Sequence, residues 1–358
     1  MDIFKALQQD DKRFDEINRI VDLPIVSEIS DDLQKRASKE LLLPSSSWPE
    51  LNKIQVAAIL AYLKYGGMLG AIGVGFGKTF ISFKIADLAY AQGRKKILLL
   101  VPANCVIKTE YEIPDLMHET ALDLPIYILG GLTKAKRHKL SKEPSGLFIV
   151  SYSQLSLKDT TELIKNIMPD TIIADECHNL AKFTSTCTMR VDRYLKENPK
   201  TQFCGMSGTL TTKTLYEYAH MSEWASGDKT PLPRVTSELD NWCDLLGSTF
   251  SEHVQGTMFK PMIEWADANF PPVKKEPPYQ LHEVASLRRA YKHRFASAPG
   301  VISSGDAQVN ISLLMQNLEV QNPQQHEGYD ELVNHMFNVK EYMMNPSGEE
   351  IEYALHTF

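Results

Sequence analysis

Residues 67–79, GMLGAIGVGFGKT, constrain the fold of this chain more than any other stretch. An apolar run ends at Ile72, a glycine-rich turn follows, and Lys78-Thr79 opens the amphipathic stretch TFISFKIADLAYA. Strand, glycine turn and helix in that order wrap a triphosphate. Glycine lets the backbone fold around phosphate oxygens, and N–H groups at a helix start act as anion donors. Gly73, Gly75 and Gly77 are the loop candidates. Lys78 would reach the β- and γ-phosphates of the nucleotide, ATP, and the Thr79 hydroxyl would ligate Mg²⁺. The full GxxxxGK[ST] spacing fails at Ile72, where a glycine is required, while Gly75-x-Gly77-Lys78-Thr79 is intact.

Around that loop the chain alternates two kinds of segment. The apolar runs are GMLGAI (67–72), KILLLV (96–101), PIYIL (125–129), GLFIV (146–150), TIIAD (171–175) and QFCGM (202–206). They are too short for buried helices and rich in Ile, Leu and Val, which predicts strands covered on both faces. Helix candidates lie between them at Leu51–Lys64, Thr79–Ala91, Val106–His118, Thr160–Asn166 and Met189–Glu197. The alternation predicts an α/β fold over residues 46–222, a parallel sheet with helices on both faces.

A length of 358 residues leaves room for more than that domain. Residues 1–45 read as a helical segment, with Ile3, Leu7, Phe14, Ile17 and Ile20 near helical spacing. LLLPSSSWPE (41–50) reads as a loop, because its prolines cannot continue a helix. Residues 223–358 read as a mainly helical region. Within it, PLPRVTSELDNW (231–242) reads as a loop leading into a helix, and FPPVKKEPPYQLHEV (270–284) as a Pro-rich connection followed by a strand. ASLRRAYKHRF (285–295) reads as a basic amphipathic helix.

The run TIIAD ends in Asp175-Glu176-Cys177-His178. Adjacent carboxylates at a strand's carboxyl end suit a metal nucleotide. Asp175 would hold Mg²⁺, and Glu176 would take the proton of the attacking water. His178 would hydrogen-bond toward the γ-phosphate. A third element, Ser207-Gly208-Thr209, follows another strand, and its hydroxyls would link the carboxylate loop to a neighbouring lobe.

A formal net charge of -7 means that nucleic-acid contact must come from local patches. The candidates are Lys134–Lys139 and Arg288–Arg294, each of which reads equally as a solvated helix face. The five cysteines are scattered, without a CxxC pair, so no zinc site or disulfide framework is expected. Free thiols suit a reducing, intracellular compartment. No apolar run approaches the roughly 18 residues of a membrane span, and residues 1–16 have no apolar signal region. The expectation is a soluble, cytoplasmic protein.

Gly75-x-Gly77-Lys78-Thr79, Asp175-Glu176-Cys177-His178 and Ser207-Gly208-Thr209 resemble motifs I, II and III of superfamily 2 helicases, of the DEAD/DEAH and Swi/Snf-like branch. Leu98–Asn104 resembles motif Ia, Phe148–Leu155 resembles motif Ib, and Leu51–Gln55 is similar to the segment that reads adenine. The motifs cover about residues 50–215 in the right order. The resemblance implies a RecA-like, P-loop lobe using ATP and Mg²⁺, with Gln55 at the adenine and Ser207 and Thr209 coupling nucleotide state to nucleic acid. It places Pro102, Asn104 and Tyr152 at the nucleic-acid backbone, and it favours duplex DNA as the partner. Trp224–Arg234 and Arg288–Val301 are similar to the linker of phage- and plasmid-encoded Swi/Snf-like helicases. A second RecA-like lobe, in a longer chain or a separate subunit, is then expected to supply arginine fingers. The setting would be the cytoplasm or nucleoid of a bacterial or phage-infected cell. Ser-Gly-Thr replaces the commoner Ser-Ala-Thr. Two alternatives remain: another P-loop ATPase, terminase-like or AAA-type, and a non-catalytic nucleotide-binding recruitment module. The Gln55 segment and the Ser-Gly-Thr element argue against the first, and the full set of catalytic side chains argues against the second.

Overall fold

Strands that read as continuously apolar do so because each feeds two cores. In the computed structural model, alternate residues of each strand enter opposite layers. Leu98, Leu100, Phe148, Val150, Ile172 and Ala174 enter one. Ile97, Leu99, Val101, Leu147, Ile149 and Ile173 enter the other. The strands are β1 (Met68–Ala71), β2 (Lys96–Val101), β3 (Ile126–Ile128), β4 (Gly146–Ser151), β5 (Thr171–Asp175), β6 (Gln202–Ser207) and β7 (Val301–Ser303). They form one sheet in the order β3-β4-β2-β5-β6-β1-β7. Every pairing is parallel. Truncating a fully buried aromatic such as Phe148 to alanine costs about 3–5 kcal/mol in such a core.

The structure describes residues 15–208, 215–234, 238–240, 242–243, 260–270 and 283–304. All of them belong to one unit, Met1–Leu314, and a second unit, Met315–Phe358, lies outside the described residues. The helices are α1 (described over 15–21), α2 (Asp31–Leu41), α3 (Lys53–Tyr65), α4 (Lys78–Ala91), α5 (Val106–Thr120), α6 (Lys134–Leu140) and α7 (Tyr152–Leu155). They continue with α8 (Leu163–Ile167), α9 (Thr186–Glu197), α10 (Tyr216–Ser226), α11 (Lys260–Asn269) and α12 (Glu283–Ala296). Helices α3, α4 and α5 cover one face through Val56, Ile59, Phe80, Phe83 and Leu116. Helices α1, α9, α10 and α12 cover the other through Ile17, Ile20, Val191, Met221 and Tyr291. The result is the expected α/β sandwich with helices on both faces of a parallel sheet.

Every apolar run singled out in the sequence is a strand. The differences are local. The helix expected over Thr160–Asn166 is shorter, because Lys158–Thr160 is a tight turn. The Thr160 hydroxyl holds that turn by donating to the carbonyls of Gln154 and Leu157 at 2.7 and 2.8 Å. The helical preface is interrupted, since residues 22–30 are not helical and Pro24 lies among them. Ile3, Leu7 and Phe14 lie outside the described residues. Glu283 and Val284 open α12 and are not a strand. The strand from the later part of the chain is β7, which pairs beside β1 with Leu69 opposite Val301 and Ala71 opposite Ser303.

Long-range side chains fasten the flanking segments to the sheet. Arg294 is fully buried and donates to the carbonyls of Leu23 and Pro24 at 2.8 and 3.0 Å, while its guanidinium lies over the Trp265 ring. Burial lowers its pKa to about 10. Arg19 donates to the carbonyls of Asp228, Thr230 and Leu232. An arginine whose guanidinium donates to several backbone carbonyls ties together the segments that carry them.

Candidate active site

Parallel pairing puts the carboxyl ends of all strands on one rim, where open α/β sheets place their ligands. Strands β5, β6 and β1 are neighbours, so the turns that follow them meet. These are the three turns that carry Asp175-Glu176, Ser207 and the glycine loop.

The loop from Ile72 to Gly77 leaves β1 and ends at the start of α4, with Gly77 as the helix cap. Gly75 and Gly77 sit at φ +86° and +77°, a region that side chains disfavour. A Cβ on Gly77 would lie 2.6 Å from Gln55 Nε2, so the end of that side chain would have to shift. Gln55 is buried. It forms a capping box with Asn52: its side-chain oxygen accepts the Asn52 N–H at 2.9 Å, and its own N–H donates to Asn52 Oδ1 at 2.8 Å. The side chain expected at adenine thus lies beside Gly77 of the glycine loop.

Glu176 is the hub. Its Oε1 pairs with Lys78 Nζ at 2.9 Å. Its Oε2 accepts from Ser207 Oγ at 3.1 Å and lies 3.3 Å from His178 Nδ1. His178 Nδ1 and Ser207 Oγ are 2.8 Å apart. Lys78 also reaches the carbonyls of Ile72 and Gly73 at 3.3 and 3.4 Å. Glu176 itself is left-handed, at φ 53°, which costs a non-glycine residue about 1–2 kcal/mol. That backbone turn places its carboxylate against Lys78 and Ser207.

The two adjacent carboxylates are driven apart electrostatically. Burial raises the pKa of Asp175 from 3.8 to about 6, and the negative charge of Glu176 adds to the rise. Burial would also raise Glu176, but hydrogen bonds from His178 and Lys78 outweigh it and hold the group at about 2. One acid is therefore a settled anion and the other is an anion in want of a cation, the pattern by which sites divide roles between like groups.

Thr79 is the second residue of α4 and is half-buried. Pro102 is half-buried and Asn104 exposed, both just past the end of β2. Tyr152, which the resemblance puts at the nucleic-acid backbone, is largely buried. It is 6% exposed, and its hydroxyl donates to the Asp175 carbonyl at 2.7 Å. It sits beneath the rim because it is the first residue of α7, packed in the core below the carboxylate turn. Thr209 lies outside the described residues.

The residues present suit a metal nucleotide. Among the described residues no salt bridge involves Asp175, and a bound cation would relieve its raised pKa. No group of three or more His, Cys, Asp or Glu side chains able to hold a metal exists among the described residues. Mg²⁺ binds through one or two carboxylates plus phosphate oxygens, a donor set that Asp175 and a nucleotide would provide. Gly75 has nothing within 4 Å of where a side chain would project, so that side of the loop is open. All five cysteines are free. Among the described residues no helix is long and apolar enough to cross a membrane.

Sheet, loop and carboxylate turn define a RecA-like lobe of the superfamily 2 helicase type, an ATPase class that uses nucleotide and divalent metal. The family described as the type III restriction enzyme, res subunit, matches residues 33–212, and the chain belongs to that family. Among solved structures, similarity is found to the UvsW helicase of bacteriophage T4 at 18% identity and a TM-score of 0.39, covering 52% of this chain and 62% of that one. The Sulfolobus solfataricus SWI2/SNF2 ATPase core, solved in complex with dsDNA, is 16% identical with a TM-score of 0.43, covering 88% of this chain and 59% of that one. The type ISP restriction-modification enzyme LlaGI, bound to a DNA substrate mimic, is 20% identical with a TM-score of 0.34, covering 46% of this chain and 15% of that one. The chain thus spans less than two thirds of each of these structures. No match was found among curated proteins.

Proposed function

We propose that this chain carries the first ATPase lobe of a DNA translocase or helicase, with residues 46–222 as the lobe, 1–45 as a helical segment and 223–358 as a linker region. The supporting observation is the network that joins Lys78, Glu176, Ser207 and His178 across three neighbouring strands. It assembles a phosphate-seeking cation, a carboxylate base and a hydroxyl relay within hydrogen-bonding reach of one another.

In this reading Gly73, Gly75, Gly77 and Lys78 hold the phosphates of ATP, and Thr79 and Asp175 hold Mg²⁺. The metal, when bound, supplies charge neutralisation on the phosphoryl oxygens. Lys78 cannot serve Glu176 and a phosphate in one geometry. Its departure from Glu176 removes one of the contacts that hold that carboxylate as a weak base. Glu176 then orients the attacking water and takes its proton. Ser207 and His178 sense that change, since both contact the same carboxylate oxygen. Ser207, with Thr209, passes it on to the bound duplex DNA, which Pro102 and Asn104 face. Tyr152 holds the carboxylate turn from below, and Gln55 keeps the glycine loop in register at the adenine side.

A second RecA-like lobe, in a longer chain or a separate subunit, completes the site with arginine fingers. Such a finger is worth about 10³–10⁵ in rate, so the lobe alone binds ATP and turns it over slowly. The test is steady-state ATP hydrolysis with Mg²⁺, with and without duplex DNA, using Glu176→Gln as the blank. Nucleotide binding with turnover at the blank level supports a lobe that needs completion. Absence of nucleotide binding removes the proposal. Full DNA-stimulated turnover by this chain alone removes the requirement for a second lobe.

A further inference from the structure

We infer that Ser304, far from the glycine loop in sequence, is a positioning residue for that loop. The Gly73 N–H donates to Ser304 Oγ at 3.2 Å across 231 residues of chain. Ser304 is itself fixed, because its N–H donates to the Ala71 carbonyl at 3.0 Å, one step beyond the β1–β7 pairing. At the other end of β7, the Leu69 N–H donates to the Gly300 carbonyl at 2.8 Å. Gly300 turns the chain at φ +76°, with its Cα side against Gly67 and Met68.

The hydroxyl is therefore delivered by rigid parts. Helix α12 precedes it, held to the amino-terminal segment by the buried Arg294. A hydrogen-bonding group on an ordered strand places its partner more tightly than one on a loop. Gly73 is gripped from both sides, with its N–H on Ser304 and its carbonyl near Lys78 Nζ. Ser304 sets the point where the loop departs from β1, and so the direction in which the following N–H groups face. The family match ends at residue 212, so this contact belongs to the part of the chain that follows the shared lobe. It gives that part a direct hold on the loop proposed to bind phosphate. The inference rests on that reading of the loop.

The test uses the full chain and two variants, Ser304→Ala and Ser304→Thr. Hydrogen exchange of residues 72–78 is measured without nucleotide, binding of a fluorescent ATP analogue with Mg²⁺ is titrated, and melting temperature serves as the fold control. Loss of one neutral hydrogen bond predicts about two- to tenfold weaker binding in Ser304→Ala. Faster exchange in the loop should accompany it, at an unchanged melting temperature. Ser304→Thr, which keeps the hydroxyl, should restore both. Wild-type exchange or wild-type affinity in Ser304→Ala overturns the role, as does a loss that threonine fails to restore. A wild-type chain that binds no nucleotide overturns the phosphate reading of the loop, and the positioning role falls with it.

Discussion

The rim of the sheet has two halves that are built differently. Beyond β1, β6 and β5 the side chains bond to one another: Lys78, Glu176, Ser207 and His178 form one connected network. Beyond β2 and β4 the arrangement is open. Asn104 is exposed, and its side-chain oxygen accepts from the thiol of its neighbour, Cys105, at 3.7 Å. Tyr152 has turned inward to brace the first half. Chemistry that needs ångström-level placement sits where the chain supplies its own partners. In the proposed reading, contact with nucleic acid would fall where side chains are left to meet it.

The sharpest way to break this comparison is Glu176→Gln. Loss of a general base lowers hydrolysis by about 10²–10⁴-fold, measured in single turnover with duplex DNA and the completing lobe supplied. Nucleotide and duplex affinity should stay near wild type, since the glutamine keeps the shape. A fall in duplex affinity as large as the fall in rate would show that the two halves are one site.

Next in size is Asp175→Asn. The pKa of Asp175 is raised, so its contribution to stability is complete below 3.8 and is lost as pH rises through about 6. Asparagine removes that loss. Without nucleotide the variant should be more stable than wild type near neutral pH by on the order of 1–2 kcal/mol, and no more stable near pH 4. Glu176 runs the other way, because its pKa is lowered. Its contribution is present above 4.5 and is lost as pH falls through about 2. Urea unfolding across pH tests both signs. An Asp175→Asn chain that is less stable at neutral pH would mean that the carboxylate already has its counter-charge.

Tyr152→Phe asks which half that residue serves. It removes the donor to the Asp175 carbonyl and leaves the ring packed, a change of about 1 kcal/mol in stability. Hydrolysis should fall a few-fold with duplex affinity unchanged. The opposite result, duplex affinity lost and hydrolysis kept, would return Tyr152 to the nucleic-acid surface.

What could be read from the residues follows the same division. Strands covered on both faces announce themselves, since Leu98–Leu100 and Ile172–Ala174 have no polar side. The glycine loop was legible because its conformation demands glycine. Strand β7 was not legible, for Val301-Ile302-Ser303 is too short to show a pattern and is a strand only because β1 stands beside it. The burial of Tyr152 was not legible, because a motif gives a position along the chain and not the direction of a side chain. Ser304 carries no local signal at all, its partner being 231 residues away. The left-handed turn at Glu176 was hidden for a related reason. Contacts to Lys78 and Ser207 from two other strands hold it there, and no preference of glutamate for that conformation does so.

The smallest expected effect is the most discriminating. Asn104→Ala removes an exposed amide whose hydrogen bond, among the described residues, stays within its own turn. Melting temperature, nucleotide affinity and hydrolysis without DNA should all match wild type. Affinity for a short duplex, read by fluorescence anisotropy at fixed salt, should fall about two- to fivefold, the worth of one hydrogen bond to a phosphate oxygen. The loss should persist across unrelated duplex sequences, because backbone contacts carry no base information. A change in hydrolysis without DNA would instead tie Asn104 to the Asp175–Glu176 turn through β2 and β5, which are paired neighbours. In that case the open half of the rim would be a second support for the closed one, and the surface that meets nucleic acid would have to lie elsewhere on the lobe.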